Sequence, residues 1–526
     1  MKALTLIFSL ILILSSCSVG QKRASIPVAE DNNLIFYEIF TGSYADSDAD
    51  GIGDLKGITE CADYLEDLGI EGIWLTPIFS SPSYHKYDIA DYYEIDPDFG
   101  DMDSLSDLLN EYHSRNIKVI LDLPINHTSS ENPWFKEFIS SHENGDTDSP
   151  YYDYYSYVLS EADEENGHSY SRSDAAGLYY ECNFDSGMPE LNFDNEKVRE
   201  QVLDIAGFYL DMGVDGFRFD AAKYIYFLDN ERSVSFWDRY IDELKNIKPD
   251  VYTVAEVWDA DTVTDEYYSA LSCFNFTASG SEGLIVKAAR GGDVNRFTAY
   301  TEGYLTSIAQ ISGAQENTSK AADSTRICYF ISNHDMDRSA GFLGDNTEDA
   351  RMAANLYLLA PGSPFIYYGE EVGLRGSRGS ASTDANRRLP MPWGDGRLTA
   401  DPEGATYSAE NRISTPISKQ IKKKDSLYNY YRELIQVRRL NPEIARGEYT
   451  ALDITGTNAG GFISSYEGSN ICVLHNTSGE PVTLDLGNAT DLVFTDISAS
   501  IGESDTKAVL SWPEVTIPAK TSLILK

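Results

Sequence analysis

From about Leu34 to Leu440, short apolar runs alternate with longer stretches in which apolar positions recur every three or four residues. Runs of that length read as buried strands and the longer spacing reads as helix, so the pattern predicts parallel β/α units. Val198, Val202, Ile205, Tyr209 and Met212 are separated by 4, 3, 4 and 3 residues, with Gly213 placed to stop the helix and Val214 opening the next run. Strands are expected at Leu34 to Phe40, Gly72 to Leu75, Lys118 to Leu123, Gly216 to Asp220, Val251 to Glu256, Ser272 to Phe276, Ile327 to Ser332 and Phe365 to Tyr368. Eight such strands predict an α/β chain closed into a barrel. Several runs end on chemistry: Lys118-Val-Ile-Leu-Asp122, Gly216-Phe-Arg-Phe-Asp220, Val251-Tyr-Thr-Val-Ala-Glu256 and Ile327-Cys-Tyr-Phe-Ile-Ser-Asn-His-Asp335. The carboxyl ends of barrel strands are where catalytic groups converge, so these carboxylates are the first candidates.

The alternation fails between Asn126 and Pro189, a stretch rich in Tyr, Ser, Asp and Asn. So long an irregular segment is usually functional, and residues 126–190 are expected to be an inserted domain walling a cleft, between barrel parts at 33–125 and 191–440. After Asn441 short alternating segments take over at Gly461 to Tyr466, Asn470 to His475, Pro481 to Leu486 and Ser522 to Leu525, predicting an antiparallel β domain over 441–526. At the other end, Met1-Lys2 and the apolar run Ala3 to Leu14 have signal-peptide proportions, so residues 1–16 are set aside as an address. Leu14-Ser-Ser-Cys17 resembles a bacterial lipobox, which would make Cys17 the acylated mature N-terminus and residues 17–32 a tether. The expected location is the cell envelope outside the cytoplasm, by lipid anchor, or else secretion.

The 526 residues carry 84 acidic against 41 basic side chains, a formal net charge of -43. That repels nucleic acid and anionic bilayers, leaving the acyl chain as the one expected membrane contact. A neutral substrate, calcium or a salty habitat suits such acidity, and the chain is expected to act as a monomer. Apart from Cys17, Cys61, Cys182, Cys273, Cys328 and Cys472 show no paired spacing and read as buried thiols, with at most one or two bridges.

Asp122-Leu-Pro-Ile-Asn-His127, Gly216-Phe-Arg-Phe-Asp-Ala-Ala-Lys223, Ala255-Glu-Val-Trp258 and Asn333-His-Asp335 follow one another in order, with Met188-Pro-Glu-Leu-Asn192 near the end of the insertion. Together they resemble the motifs of glycoside hydrolase family 13, the α-amylase family, over nearly the whole mature chain. The resemblance implies a TIM (β/α)8 barrel with a domain inserted after the third strand. It also implies a retaining hydrolase in which Asp220 is the nucleophile, Glu256 the general acid/base and Asp335 the third carboxylate. Arg218, on the same strand face as Asp220, is expected to keep that nucleophile ionised, and the field of the other carboxylates to keep Glu256 protonated. By the same carry-over His127 and His334 bind hydroxyls of the sugar at the cleaved bond, Tyr87 and Asp88 shape that subsite, and Lys223, Tyr224 and Trp258 face the leaving-group side.

Asp46-Ser-Asp-Ala-Asp-Gly-Ile-Gly-Asp54 alternates carboxylates around a Gly turn, a pattern able to wrap oxygen ligands around Ca2+. An EF-hand is excluded, because Gly57 stands where a bidentate Glu is required and a strand precedes the loop. The segment resembles a family loop after the first barrel strand, with Asp46, Asp48, Asp50 and Asp54 ligating through side chains and Ile52 through its carbonyl. Asn126 matches a calcium ligand of many α-amylases, without nameable partners. The substrate implied is an α-glucan cleaved at internal α-1,4 bonds, since Asp220-Ala-Ala-Lys-Tyr224 carries the Lys that exo- and α-1,6-acting members usually lack. Tyr224 departs from the His common in amylases, which keeps an α-glucosidase, oligo-1,6-glucosidase or glucosyltransferase as the alternative. A non-catalytic glucan-binding protein would have no physical reason to keep all three carboxylates and Arg218.

Overall fold

The computed structural model describes residues 32–311, 326–345, 347–394, 396–504 and 506–526. The leader, Cys17 and most of the tether lie outside the described residues. All eight expected barrel strands form: β1 (Phe36–Ile39), β2 (Gly72–Leu75), β3 (Lys118–Asp122), β4 (Gly216–Phe219), β5 (Tyr252–Ala255), β6 (Ser272–Phe274), β7 (Ile327–Cys328) and β8 (Phe365–Tyr367). They pair in parallel in chain order, with β1 between β8 and β2. Between β7 and β8 the Phe365 N–H donates to the Tyr329 carbonyl at 2.8 Å and the Ser363 N–H to Ile327 at 3.1 Å, so backbone bonds bridge the seam. β2 has the bounds of its apolar run, and the other seven strands are shorter than theirs by one to four residues.

Period two along each strand sorts the barrel's two surfaces. Phe36, Trp74, Ile120, Tyr252, Val254, Phe274, Cys328 and Phe365 form the inner core. Tyr37, Ile73, Val119, Leu121, Phe217 and Phe219 join the larger cluster between sheet and helices. Continuing that alternation turns Glu38, Asp122, Arg218, Asp220 and Glu256 inward at the carboxyl end. Gly72 is required by the same geometry, since a Cβ there would lie 2.4 Å from the Phe36 ring. The helix read from Val198 to Met212 spans Glu196–Asp211, capped by the Asn195 side chain, and Gly213 ends it at φ 107°.

The segment after β3 is more regular than its sequence suggests. Pro133–Asn144 is an α-helix, and Tyr157–Val158, Tyr170–Ser173 and Leu178–Glu181 form a small antiparallel sheet. Strands this short carry too few alternations to be read as a period. Phe135, Phe138, Tyr155 and Tyr180 pack edge to face and tilted between helix and sheet. After the barrel, Glu448–Ala451, Ala459–Tyr466, Ser469–Asn476, Thr521–Leu525 and Ile497–Ile501 make a five-stranded antiparallel sheet. Val482–Asp485, Glu514–Ile517 and Val509–Ser511 make a second, of three strands. Four of these eight strands match the expected segments. The five described cysteines are buried free thiols, so none of the bridges left open by the sequence forms among them.

Candidate active site

A cleft of about 1030 Å³ opens at the carboxyl end of the barrel. Tyr87, His127, Asp220, Lys223, Tyr224, Glu256, Trp258 and Asp335 all line it. Phe184, Asp185 and Met188 of the inserted segment contribute one wall, as expected of it.

Beneath the cleft sits Arg218, fully buried on β4. Its Nη1 donates to Asp220 Oδ1 at 2.6 Å and to both oxygens of Asp122, at 2.8 and 3.0 Å, while Nη2 donates to Glu256 Oε2 at 2.5 Å. Arg218 is therefore a floor that gathers three carboxyl groups and is not among the residues that line the cleft. The reason is register: Arg218 pairs with Asp122 on β3 and lies over Trp74 at 5.1 Å, inside the barrel.

Burial sets the titration of these groups before any neighbour does. It pushes Glu256 up to about 7, with Arg218 opposing and Asp220 and Asp335 adding. The negative field expected to protonate Glu256 is thus real but secondary to desolvation. Burial also raises Asp220, against Arg218 as the largest opposing influence, and lifts Asp122 to about 6. Asp335 goes the other way. Burial would raise it, but His334 and then Arg388 and Arg218 hold it well below the usual carboxylate range.

His334 is fully buried, and its Nδ1 meets Glu38 Oε1 at 2.6 Å while Nε2 meets Asp335 Oδ2 at 3.0 Å and the Tyr87 hydroxyl at 2.7 Å. Burial pulls its pKa down, yet the Asp335 and Glu38 carboxylates lift it to about 10. Both N–H groups of this imidazolium are committed to protein. His334 props Asp335 from behind and is not among the residues that line the cleft. His127 does line the cleft, but Asn126 Nδ2 donates to its Nδ1 at 2.8 Å, so Nε2–H donates to the Tyr87 carbonyl at 3.1 Å; burial keeps the ring neutral, with a pKa of about 4. Tyr87 stacks on His334 with 10° between the rings and donates its hydroxyl to Asp122 at 2.8 Å. Asp88 is not in the cleft. Its carboxylate accepts from the Ser81 and Ser83 hydroxyls and braces the loop that carries Tyr87.

On the other flank Lys223 Nζ donates to Asp259 at 2.8 Å and to the Trp258 carbonyl at 3.0 Å. Trp258, 47% exposed, stacks on Phe276 at 4.6 Å, and Tyr224 stacks on Phe227 at 4.4 Å and touches Phe184. Both aromatic side chains line the cleft on this flank. The sequence reading missed Tyr84, Arg388 and the wall formed by Ser382, Thr383, Asp384, Glu403 and Gly404. A signal existed: the long stretch from β8 to the helix Leu427–Leu440 is at the catalytic face and poor in regular structure.

In the loop after β1, one carboxylate oxygen from each of Asp46, Asp48 and Asp50 lies within 4.8 Å of the others. Three hard oxygen donors fit Ca2+. Asp54, expected as a fourth ligand, is not part of this group; its Oδ1 accepts the Gly57 N–H as a helix N-cap and its Oδ2 accepts the Ser47 N–H. Ile52 donates its N–H to Asp50 at 2.7 Å, which folds the loop around the three carboxylates.

Comparison with known proteins bears on the whole body. The family model described as "Alpha amylase, catalytic domain" matches residues 38–447. Alpha-amylase 3 of Dictyoglomus thermophilum is 38% identical over 462 residues, 87% of each chain. A 4-alpha-glucanotransferase of Thermotoga neapolitana is 30% identical over 85% of this chain and 97% of its own. Among solved structures, Eubacterium rectale Amy13B superposes with a TM-score of 0.85 at 35% identity, covering 95% of this chain and 97% of that one.

Proposed function

The chain belongs to the α-amylase catalytic-domain family, and from that premise we propose that it hydrolyses internal α-1,4 bonds of starch-like glucans with retention of anomeric configuration. The observation that carries the reading is the convergence of Asp220, Glu256 and Asp335 on one cleft, two of them hung from a single guanidinium. In this reading Asp220 attacks the anomeric carbon while Glu256, protonated, gives its proton to the departing glycosidic oxygen. Water then hydrolyses the glycosyl ester on Asp220, its proton taken by the ionised Glu256. The shared Arg218 favours the short carboxyl separation of retaining enzymes, about 5 to 5.5 Å, over the wider one that admits an attacking water. A Glu256 pKa of about 7 supports its entering the cycle as an acid near neutrality. Asp335, ionised beside the sugar, offsets the positive charge that builds at the anomeric centre.

Trp258 and Tyr224 then carry the leaving-group sugars, and a cleft with platforms on that side serves a chain that runs through it. Ca2+ belongs to the same proposal, held by Asp46, Asp48 and Asp50, where it would neutralise three clustered charges and stiffen the loop. So does an acyl anchor on Cys17, supported by Leu14-Ser-Ser-Cys17, which would hold the enzyme at the cell envelope outside the cytoplasm.

The test is digestion of soluble starch beside Asp220→Asn. Iodine staining should fall faster than reducing ends accumulate, several product lengths should appear early, and isomaltose should be a poor substrate. Glucose as the sole early product, or isomaltose cleaved faster than maltotriose, would move the protein to the exo-acting alternative.

A further inference from the structure

Arg387 and Arg388 follow β8 by twenty residues, yet between them they grip Asp335 from two directions. Arg388 is 5% exposed and uses its whole fork: Nη2 donates to Asp335 Oδ1 at 2.7 Å, Nε to the His334 carbonyl at 3.1 Å, and Nη1 to the Tyr84 hydroxyl at 3.1 Å. Its guanidinium lies over the Phe40 and Tyr84 rings, at 5.4 and 5.7 Å. Arg387 holds the backbone of the same residue, Nη1 donating to the Asp335 carbonyl at 2.6 Å and to Asp384 at 2.7 Å, and Nε to Asp337 at 2.8 Å.

Burying a guanidinium is costly, and an apolar side chain would fill this space at lower cost if packing were all that mattered. What the fork supplies is direction. Asp335 receives one cation on each oxygen, Arg388 on Oδ1 and His334 on Oδ2, so its carboxylate plane is set. We propose that Arg388 is a positioning residue for the hydrolytic reaction, fixing the orientation and charge of Asp335 and tying it to the two cleft-lining loops that carry Tyr84 and Asp384. This rests on the glycoside-hydrolase reading above and adds to it a residue outside the motifs that carry the family resemblance.

A charge role and a packing role separate in the response to a lysine at this position. Asp335 is faced by the cations His334, Arg388 and Arg218, by the carboxyl groups of Asp220 and Glu256, and by His85, Tyr84 and Tyr87. Removing one cation raises the Asp335 pKa from a position well below the usual carboxylate range, so Asp335 stays ionised and the acid limb of kcat remains with Asp220, which burial raises. His334 stays in place on Oδ2, so the neutral variants lose the cation and the fork on Oδ1 alone.

The experiment measures kcat, KM and the pH profile on a maltooligosaccharide for wild type, Arg388→Met, Arg388→Gln and Arg388→Lys, with Asp220→Asn as the control for chemistry. Arg388→Met and Arg388→Gln are expected to lower kcat about 100-fold and to change KM less than about threefold, with the acid limb left at its Asp220 position. Arg388→Lys keeps the charge without the fork, so part of kcat should return. If Arg388→Met does not fold, Arg388→Gln carries the same reading. Wild-type kcat in the neutral variants would overturn the proposal, as would a loss in Arg388→Lys equal to that in Arg388→Met and Arg388→Gln. A wild type that releases no reducing ends, or an Asp220→Asn that does so normally, would instead refute the hydrolase reading itself.

Discussion

Replacing Glu256 by Gln should reveal what the active site costs the fold, and the cost should depend on pH. Burial raises the Glu256 pKa from 4.5 to about 7, so between those values the folded protein holds a proton that the unfolded chain has released. A carboxyl group raised in this way stabilises the fold fully below the unfolded value, and the contribution is lost as pH climbs through the folded one. At about 1.4 kcal/mol per pH unit of displacement, the loss between pH 4.5 and 7 is about 3 kcal/mol. Glu256→Gln removes the titration while leaving an oxygen that can accept from Arg218 Nη2, so the variant escapes that loss. Thermal melts of both proteins at half-unit steps from pH 4.5 to 8 check this, and the informative quantity is the change in the Tm difference with pH, since the substitution shifts the offset for other reasons. The variant should gain on wild type steadily up to pH 7 and then level off. A Tm difference that stays flat across that window would refute the burial argument, and with it the claim that Glu256 enters catalysis protonated. The same pKa places the basic limb of wild-type activity near pH 7, with turnover falling about tenfold per unit beyond it.

Asp220→Asn should lower kcat by several orders of magnitude with an unchanged circular-dichroism spectrum, since it removes a reacting group and little packing volume; activity within tenfold of wild type would remove Asp220 from its role. Chelation should lower the wild-type Tm because an ion bound only by the folded state stabilises it by mass action. Asp48→Ala/Asp50→Ala should abolish that response, as calorimetry with and without chelator will report. Cys17→Ser, expressed in a lipoprotein-processing bacterium, should leave the membrane fraction that wild type occupies, and a soluble wild type with a mature N-terminus elsewhere would end the anchor. Gly72→Ala should cost stability with little effect on KM, because its new methyl would meet the Phe36 ring at 2.4 Å, far from the cleft.

By itself the sequence determined the barrel and the identity of its central carboxylates. Strand and helix periods are local properties, and alternation along Gly216–Phe219 is enough to send Arg218 and Asp220 to the inner face and Phe217 and Phe219 to the outer one. Motif order then named Asp220, Glu256 and Asp335 before any contact was known. The inserted segment was legible only as an interruption, because its strands are two to four residues long. Tertiary structure alone decided which of the named residues line the cleft and which lie behind them. Arg218 reaches Asp122 from 96 residues away because β3 and β4 are neighbours, and that pairing takes it under the cleft instead of into it. His334 sits behind Asp335 because Glu38, 296 residues distant, meets its Nδ1 from β1. Asp88 and Asp54 brace a loop and cap a helix, contacts that depend on which hydroxyl and N–H donors the folded loops bring beside each carboxylate. Arg388 had no periodic or motif signature at all. Its meaning depends on where a long loop returns to the barrel mouth, and that is set by packing across the whole chain.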